Sequence, residues 1–125
     1  MSGKTILVVE DNEIQREGLA VVLRKEGYTV LVAADGKEAS AVVRVGVPDL
    51  ILLDMMVPAP DGWRLLRMWK KYPALASVPV FIVTGLGVAS EEWAAALGAR
   101  GLIRKPVEME RLLAAVRRCL DEGQG

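Results

Sequence analysis

Short apolar stretches of strand length alternate with segments of helical spacing along this chain, and few architectures can absorb that alternation. The stretches fall at Thr5–Val9, Thr29–Ala33, 49–53 and 80–83, with a weaker one at 101–103. ILVV, LILL and VFIV among them are apolar on both faces, as strands must be when helices cover both sides of a sheet. Between them, residues 13–26 carry Ile14, Leu19, Val22 and Leu23. Residues 36–45 carry Ala39, Val42 and Val43, and residues 61–72 carry Trp63, Leu65, Leu66 and Trp69. Residues 107–120 show the cleanest three-and-four spacing, with Met109, Leu112, Leu113, Val116, Cys119 and Leu120, whereas 88–97 is short and alanine-rich. A helix after every strand implies crossover connections and a parallel sheet. The expected fold is therefore α/β: a doubly wound, five-stranded parallel sheet with five helices in a three-layer sandwich. Asp35–Gly36 and Asp61–Gly62 supply helix caps, and Pro73 and Pro79 bracket a loop. This pattern fills the 125 residues, so a single domain over 1–125 is expected, with its core at about 4–121.

Composition narrows the chemistry. Sixteen Lys and Arg balance sixteen Asp and Glu, so bulk charge points to no direct nucleic-acid binding. Histidine is absent and Cys119 is the single cysteine. That removes histidine-assisted nucleophiles, imidazole or cysteine-cluster metal sites, and intrachain disulfides. No apolar run approaches the roughly 20 residues of a membrane span, so a cytoplasmic protein without membrane contact is expected. A Walker A motif is missing. Gly85-x-Gly87-x-x-Ser90 only loosely matches a dinucleotide fingerprint, at the fourth strand rather than the first.

In a doubly wound sheet, function gathers beyond the carboxyl ends of the strands. Here strand one ends in Glu10–Asp11–Asn12, strand three in Asp54, strand four in Thr84, and strand five runs into Lys105–Pro106. Two carboxylates about 4 Å apart repel by roughly 1 kcal/mol in water and about 4 kcal/mol at an intermediate dielectric. Three carboxylates on one rim therefore call for cations, and a lysine plus a divalent ion balances them. Oxygen ligands with room for water suit Mg2+. A carboxylate beside such an ion can attack a phosphoryl group, with lysine and hydroxyl spreading the charge.

The motifs VVEDN, PDLILLD followed by VPAPDG, VTG and GARGLIRKP occur in order. Arg16-x-x-Leu19 and AADGKEA lie between them. Together they closely resemble the receiver domain of two-component response regulators, including the chemotaxis-regulator kind, over residues 4–121. The resemblance implies a flavodoxin-like sheet in the order 2-1-3-4-5, with Asp54 as phosphoacceptor. Asp11 would hold Mg2+ directly and Glu10 largely through water, joined by Asp54 and the backbone carbonyl of Met56. Lys105 would pair with Asp54 and then with the phosphoryl oxygens, across a cis bond to Pro106. Thr84 would donate its hydroxyl. The implied partners are a sensor histidine kinase or phosphotransfer protein and a downstream protein or output domain. The face of helix four, strand five and helix five would signal or form a homodimer. A free-standing regulator and a receiver excised from a longer protein both fit.

The chain departs from the family pattern in places. Leu102 stands where members usually carry Tyr or Phe, so the aromatic switch is missing. Gly85 replaces the commoner alanine, while Val57, Pro60 and Val107 alter packing. Met56 and Leu86 flank the expected path of hydrolytic water, and neither can orient it, so slow phosphoryl loss is expected. Two other functions stay open: a phosphate-independent receiver-like interaction module, and an aspartate-nucleophile phosphatase. Met56 stands where the phosphatase wants a general acid. Trp63 and Trp69 read as packing, and Trp93 as either packing or partner contact. Arg100, Arg104, Arg111, Arg117 and Arg118 read as a solvated stripe.

Overall fold

Residues 3–122 are described in a computed structural model. Five strands, β1 (Thr5–Val9), β2 (Thr29–Ala33), β3 (Leu50–Leu53), β4 (Val80–Thr84) and β5 (Gly101–Arg104), form one parallel sheet in the order β2-β1-β3-β4-β5. The expected sheet and strand order are both present. The register aligns the carboxyl ends of the central strands. Val9 lies beside Leu53, so the next residues, Glu10 and Asp54, leave neighbouring strands at the same level.

Alternation along the strands sorts the side chains into two layers. Ile6 and Val8 join Leu19 and Leu23 of α1 (Glu13–Lys25) and Leu112 and Val116 of α6 (Met109–Arg117). Leu7 and Val9 face the other way. They meet Ala39 and Val43 of α2 (Gly36–Val45), Leu65 and Trp69 of α3 (Gly62–Lys70), and Ala94 of α5 (Glu91–Ala96). Each fully buried Leu or Val side chain contributes roughly 1.5–3 kcal/mol.

The structure adds one helix to the expected five. The segment between Pro73 and Pro79, read as loop, contains a single turn, α4 (Pro73–Ala76). Proline at the first helical position suits that start, and four residues are too few to leave a periodic signal. The helix expected at 88–97 is shorter, beginning after Ser90, whose hydroxyl accepts from the Trp93 N–H at 3.0 Å. α6 continues as a wider π turn over Arg118–Glu122.

The loop after β3 is held against the start of α2 and α3. Asp35 and Asp61 cap those helices as expected, accepting from the Glu38 and Arg64 N–H groups at 2.7 and 3.0 Å. The Gly36 N–H reaches the Pro58 carbonyl and the Gly62 N–H the Met55 carbonyl, each at 3.0 Å. Neither glycine leaves room for a side chain. A Cβ would lie 1.8 Å from the Pro60 oxygen at Gly36 and 2.5 Å from the Met55 Cα at Gly62.

Candidate functional site

Glu10 is the residue the fold treats most unusually. It is a carboxylate with only 2 % of its surface exposed, at the end of a strand buried from Ile6 onward. Its N–H donates to the Ala33 carbonyl, and the Asp54 N–H donates to the Val9 carbonyl, both at 3.0 Å. Backbone pairing thus carries one residue past each strand end and fixes both acids. Glu10 Oε2 accepts from the Asn12 N–H at 3.1 Å. From α1, Arg16 Nη1 donates to the Glu10 and Asp11 carbonyls at 3.0 and 3.4 Å, tying the acidic turn to the helix.

Lys105 spans the gap between the two acids. Its Nζ lies 2.8 Å from Glu10 Oε1 and 3.0 Å from Asp54 Oδ2. The Lys105 N–H donates to the Thr84 carbonyl at 2.9 Å, and the Lys105–Pro106 bond is cis, as expected. The other oxygen of Asp54, Oδ1, accepts from the Met56 N–H at 2.9 Å. Thr84 is buried at the end of β4, and its Oγ1 accepts from the Leu86 N–H at 3.1 Å. That bond leaves the Thr84 hydroxyl proton available for an acceptor.

The charge balance is unfavourable as it stands. One carboxylate oxygen from each of Glu10, Asp11 and Asp54 lies within 4.8 Å of the others, and one ammonium faces them. The buried Glu10 Oε1 has charge compensation from Lys105 but no donor in hydrogen-bond alignment. Burial pushes the Glu10 carboxyl above its ordinary pKa, with the Lys105 ammonium pulling it part of the way back. Burial disfavours the Lys105 ammonium, but Glu10 and Asp54 together outweigh it, and its pKa is raised. An all-oxygen pocket with surplus negative charge and an unaligned buried acceptor fits a hydrated divalent cation.

Of the residues singled out from sequence, Glu10, Asp54 and Lys105 are in direct contact. Asp11 completes the acidic cluster, and Thr84 closes the strand beside Asp54's. The Met56 side chain is exposed. Two arginines at the site carry no such signal in the sequence, where Arg16 figures only in a connecting motif and Arg104 only in a stripe. Arg104 donates to the Leu86 carbonyl at 2.9 Å and to the Ala89 carbonyl, so it braces the loop after Thr84. Of the five arginines read as a solvated surface, four make contacts within the fold. Arg100 reaches Cys119 Sγ at 3.7 Å, Arg111 pairs with Glu108 at 3.1 Å, and Arg117 pairs with Glu26 at 2.9 Å. Trp69 is buried. Trp63 and Trp93 meet edge to face at 6.3 Å, which gives half-buried Trp93 a packing role.

The family model for the response regulator receiver domain matches residues 6–117. The chain belongs to that family. It is 36% identical to the phosphate regulon transcriptional regulatory protein PhoB of Pseudomonas aeruginosa over 121 residues, 96% of this chain and 53% of PhoB. It is 33% identical to Protein PilH of the same species over 112 residues, 89% of this chain and 93% of PilH. This receiver domain therefore spans about half the length of PhoB but nearly all of PilH. Among solved structures, it resembles the receiver domain of sensor histidine kinase PA1611 from Pseudomonas aeruginosa PAO1. The TM-score is 0.85 at 28% identity, covering 94% of this chain and 98% of that one. The PA1611 domain was solved with a magnesium ion coordinated in its active site cleft.

Proposed function

We propose that this receiver domain accepts a phosphoryl group on Asp54 in a Mg2+-dependent reaction and signals through its altered surface. The observation that carries the reading is the Lys105 ammonium set between Asp54 Oδ2 and Glu10 Oε1 beside a three-carboxylate cluster. Glu10, Asp11 and Asp54, with the Met56 carbonyl, would hold the ion. When bound, it supplies positive charge to the carboxylates and to the transferring phosphoryl oxygens.

An Asp54 carboxylate oxygen attacks phosphorus. The bond from phosphorus to a phosphohistidine nitrogen, or to the oxygen of an acyl phosphate, breaks, and that nitrogen or oxygen leaves with the electron pair. Lys105, held charged by its two acids, follows the new negative charge onto the phosphoryl oxygens. Thr84 donates a hydrogen bond from its hydroxyl to one of them. Beside Glu10 and Lys105 lies a cleft of about 230 Å³ lined by Ile14, Gly18, Pro106 and Val107. With Ile14 84 % exposed, it suits an apolar side chain of a sensor histidine kinase or phosphotransfer protein.

Phosphorylation replaces the single negative charge of the Asp54 carboxylate with close to two on the acyl phosphate, whose phosphoryl oxygens accept hydrogen bonds. The loop at 85–90 would respond first, then the face of α5, β5 and α6, where a downstream protein, an output domain or a second copy would dock. Met56 offers no general acid two residues after Asp54, so the chain acts as a switch rather than a turnover phosphatase. Among the described residues no helix is long and apolar enough to cross a membrane, and a cytoplasmic setting goes with this reading.

Intact mass after incubation with Mg2+ and acetyl phosphate tests it. The wild type should gain one phosphoryl group, while Asp54→Asn and an EDTA-treated sample gain none. An adduct that survives Asp54→Asn, or no adduct from either acyl phosphate or kinase, refutes it.

A further inference from the structure

We infer that Arg104 is the positioning residue for the Thr84 hydroxyl, in the role left open by Leu102. This rests on the reading of Asp54 and Thr84 given above. Two glycines loosen the loop at 85–90. Gly87 and Gly85 are both exposed. A Cβ at Gly87 would meet nothing within 4 Å, and at Gly85 only Lys105 Cβ at 3.7 Å, so space does not demand either glycine. Their effect is to widen the range of backbone conformations that must be suppressed.

Arg104 suppresses it. Thr84 and Arg104 are direct partners in the β4–β5 register, so the arginine starts level with the threonine it serves. One guanidinium nitrogen donates to the Leu86 carbonyl at 2.9 Å and the other to the Ala89 carbonyl. Leu86 in turn donates its N–H to Thr84 Oγ1 at 3.1 Å, and its carbonyl also accepts from the Ala89 N–H at 3.2 Å. Leu86 is thus pinned from both sides, by Arg104 at its carbonyl and by Thr84 at its N–H. With that lone pair of Oγ1 occupied, the Thr84 hydroxyl is oriented before any phosphoryl group arrives.

Two further observations separate this from an ordinary surface arginine. Among the described residues Arg104 has no carboxylate partner, so its fork is engaged by loop carbonyls, a geometry that suits planar guanidinium and not a point charge. Position 104 also shares a sheet face with position 102, two residues earlier on the strand. Leu102 packs into the layer of α2, α3 and α5 and has no polar group to offer the loop. Coupling between strand five and the Thr84 loop therefore passes through a different residue on the same face.

The experiment compares Arg104→Ala, Arg104→Lys, Thr84→Ala and the Arg104→Ala/Thr84→Ala double variant in the full chain. Three quantities are read: the rate of Asp54 phosphorylation by acetyl phosphate at saturating Mg2+, the Mg2+ affinity, and hydrogen exchange at the Leu86 amide. Arg104→Ala removes both loop hydrogen bonds and should slow phosphorylation about tenfold, the effect of losing the charge-assisted bond at the Leu86 carbonyl that fixes Thr84, with Mg2+ affinity unchanged. Leu86 exchange should accelerate by a similar factor, and Arg104→Lys should recover only part of either. On the Thr84→Ala background, Arg104→Ala should slow the reaction no further, because the arginine acts through that hydroxyl. Full additivity of the two substitutions, or an unchanged Leu86 exchange rate, overturns the inference. Should the wild type accept no phosphoryl group, the reading of Asp54 fails by itself. Leu86 exchange then decides for or against the Arg104 brace alone.

Discussion

Replacing Lys105 by methionine should destabilise the metal-free domain and deepen the dependence of its stability on divalent cation. The ammonium lies 2.8 Å from Glu10 Oε1 and 3.0 Å from Asp54 Oδ2. At an effective dielectric near 20, each contact is worth a gross 5–6 kcal/mol or so, before the cost of desolvating the charges is subtracted. Removing one partner of a buried ion pair typically costs about 3–5 kcal/mol. The Lys105 side chain keeps 23% of its surface exposed, against 2% for Glu10. Solvent screening of the lysine brings the expected loss to about 2–3 kcal/mol. Urea unfolding at pH 7.5 in EDTA measures it. At pH 5 the loss should shrink. The Glu10 carboxyl is already displaced upward by burial, and without the ammonium it takes up a proton more readily. Saturating Mg2+ should restore most of the stability, about 2.7 kcal/mol at one hundred times the dissociation constant. A loss in EDTA below about 1 kcal/mol, the size of an exposed surface pair, would refute the reasoning.

Met56→Asn should shorten the phosphoryl lifetime on Asp54, since an amide two residues after the acid can orient water; decay followed by intact mass checks this, and equal rates count against it. Gly36→Ala should cost at least about 1–3 kcal/mol in urea unfolding, because its Cβ falls 1.8 Å from a backbone oxygen that cannot swing aside. Gly46→Ala, with open space around it and φ of -164°, should be neutral or stabilising by up to about 1 kcal/mol. Tyr28 is buried and donates to Asp121 Oδ2 at 2.8 Å. Burial first and the Asp121 carboxylate second raise its phenol pKa. The folded state therefore keeps a proton that the unfolded chain releases, so this contribution is complete below the ordinary tyrosine value of about 10 and drains away as pH rises past it. Tyr28→Phe should flatten the alkaline fall in stability, and identical slopes for the two proteins would count against this.

Strand runs and helix caps are readable because each rests on local chemistry: ILVV, LILL and VFIV on two-sided burial, Asp35 and Asp61 on a side-chain oxygen reaching a helix N–H. The acidic cluster is readable because Glu10, Asp11 and Asp54 follow strands whose apolar pattern stops at them. The features that escape the sequence have a common cause. α4 is one turn long, too brief for any period to show. Arg104 and Arg16 act on backbone carbonyls, which every residue possesses, so their partners carry no signature. The π turn after α6 is likewise invisible, since the apolar spacing runs on through Cys119 and Leu120. Trp93 is undecided from sequence for a related reason. Its partner Trp63 lies on a different helix, and only the packed layer brings the two rings together.

That aromatic contact makes the protein self-reporting. Trp63 stands on the helix that follows Asp54's loop, and Trp93 on the helix that follows Thr84's, with their ring planes at 80°. A displacement of either loop that shifts its helix would change the distance and angle between the two indoles, whereas Trp69 lies deeply enclosed. Intrinsic fluorescence would therefore follow the proposed conformational response in real time, with no dye attached and no residue changed.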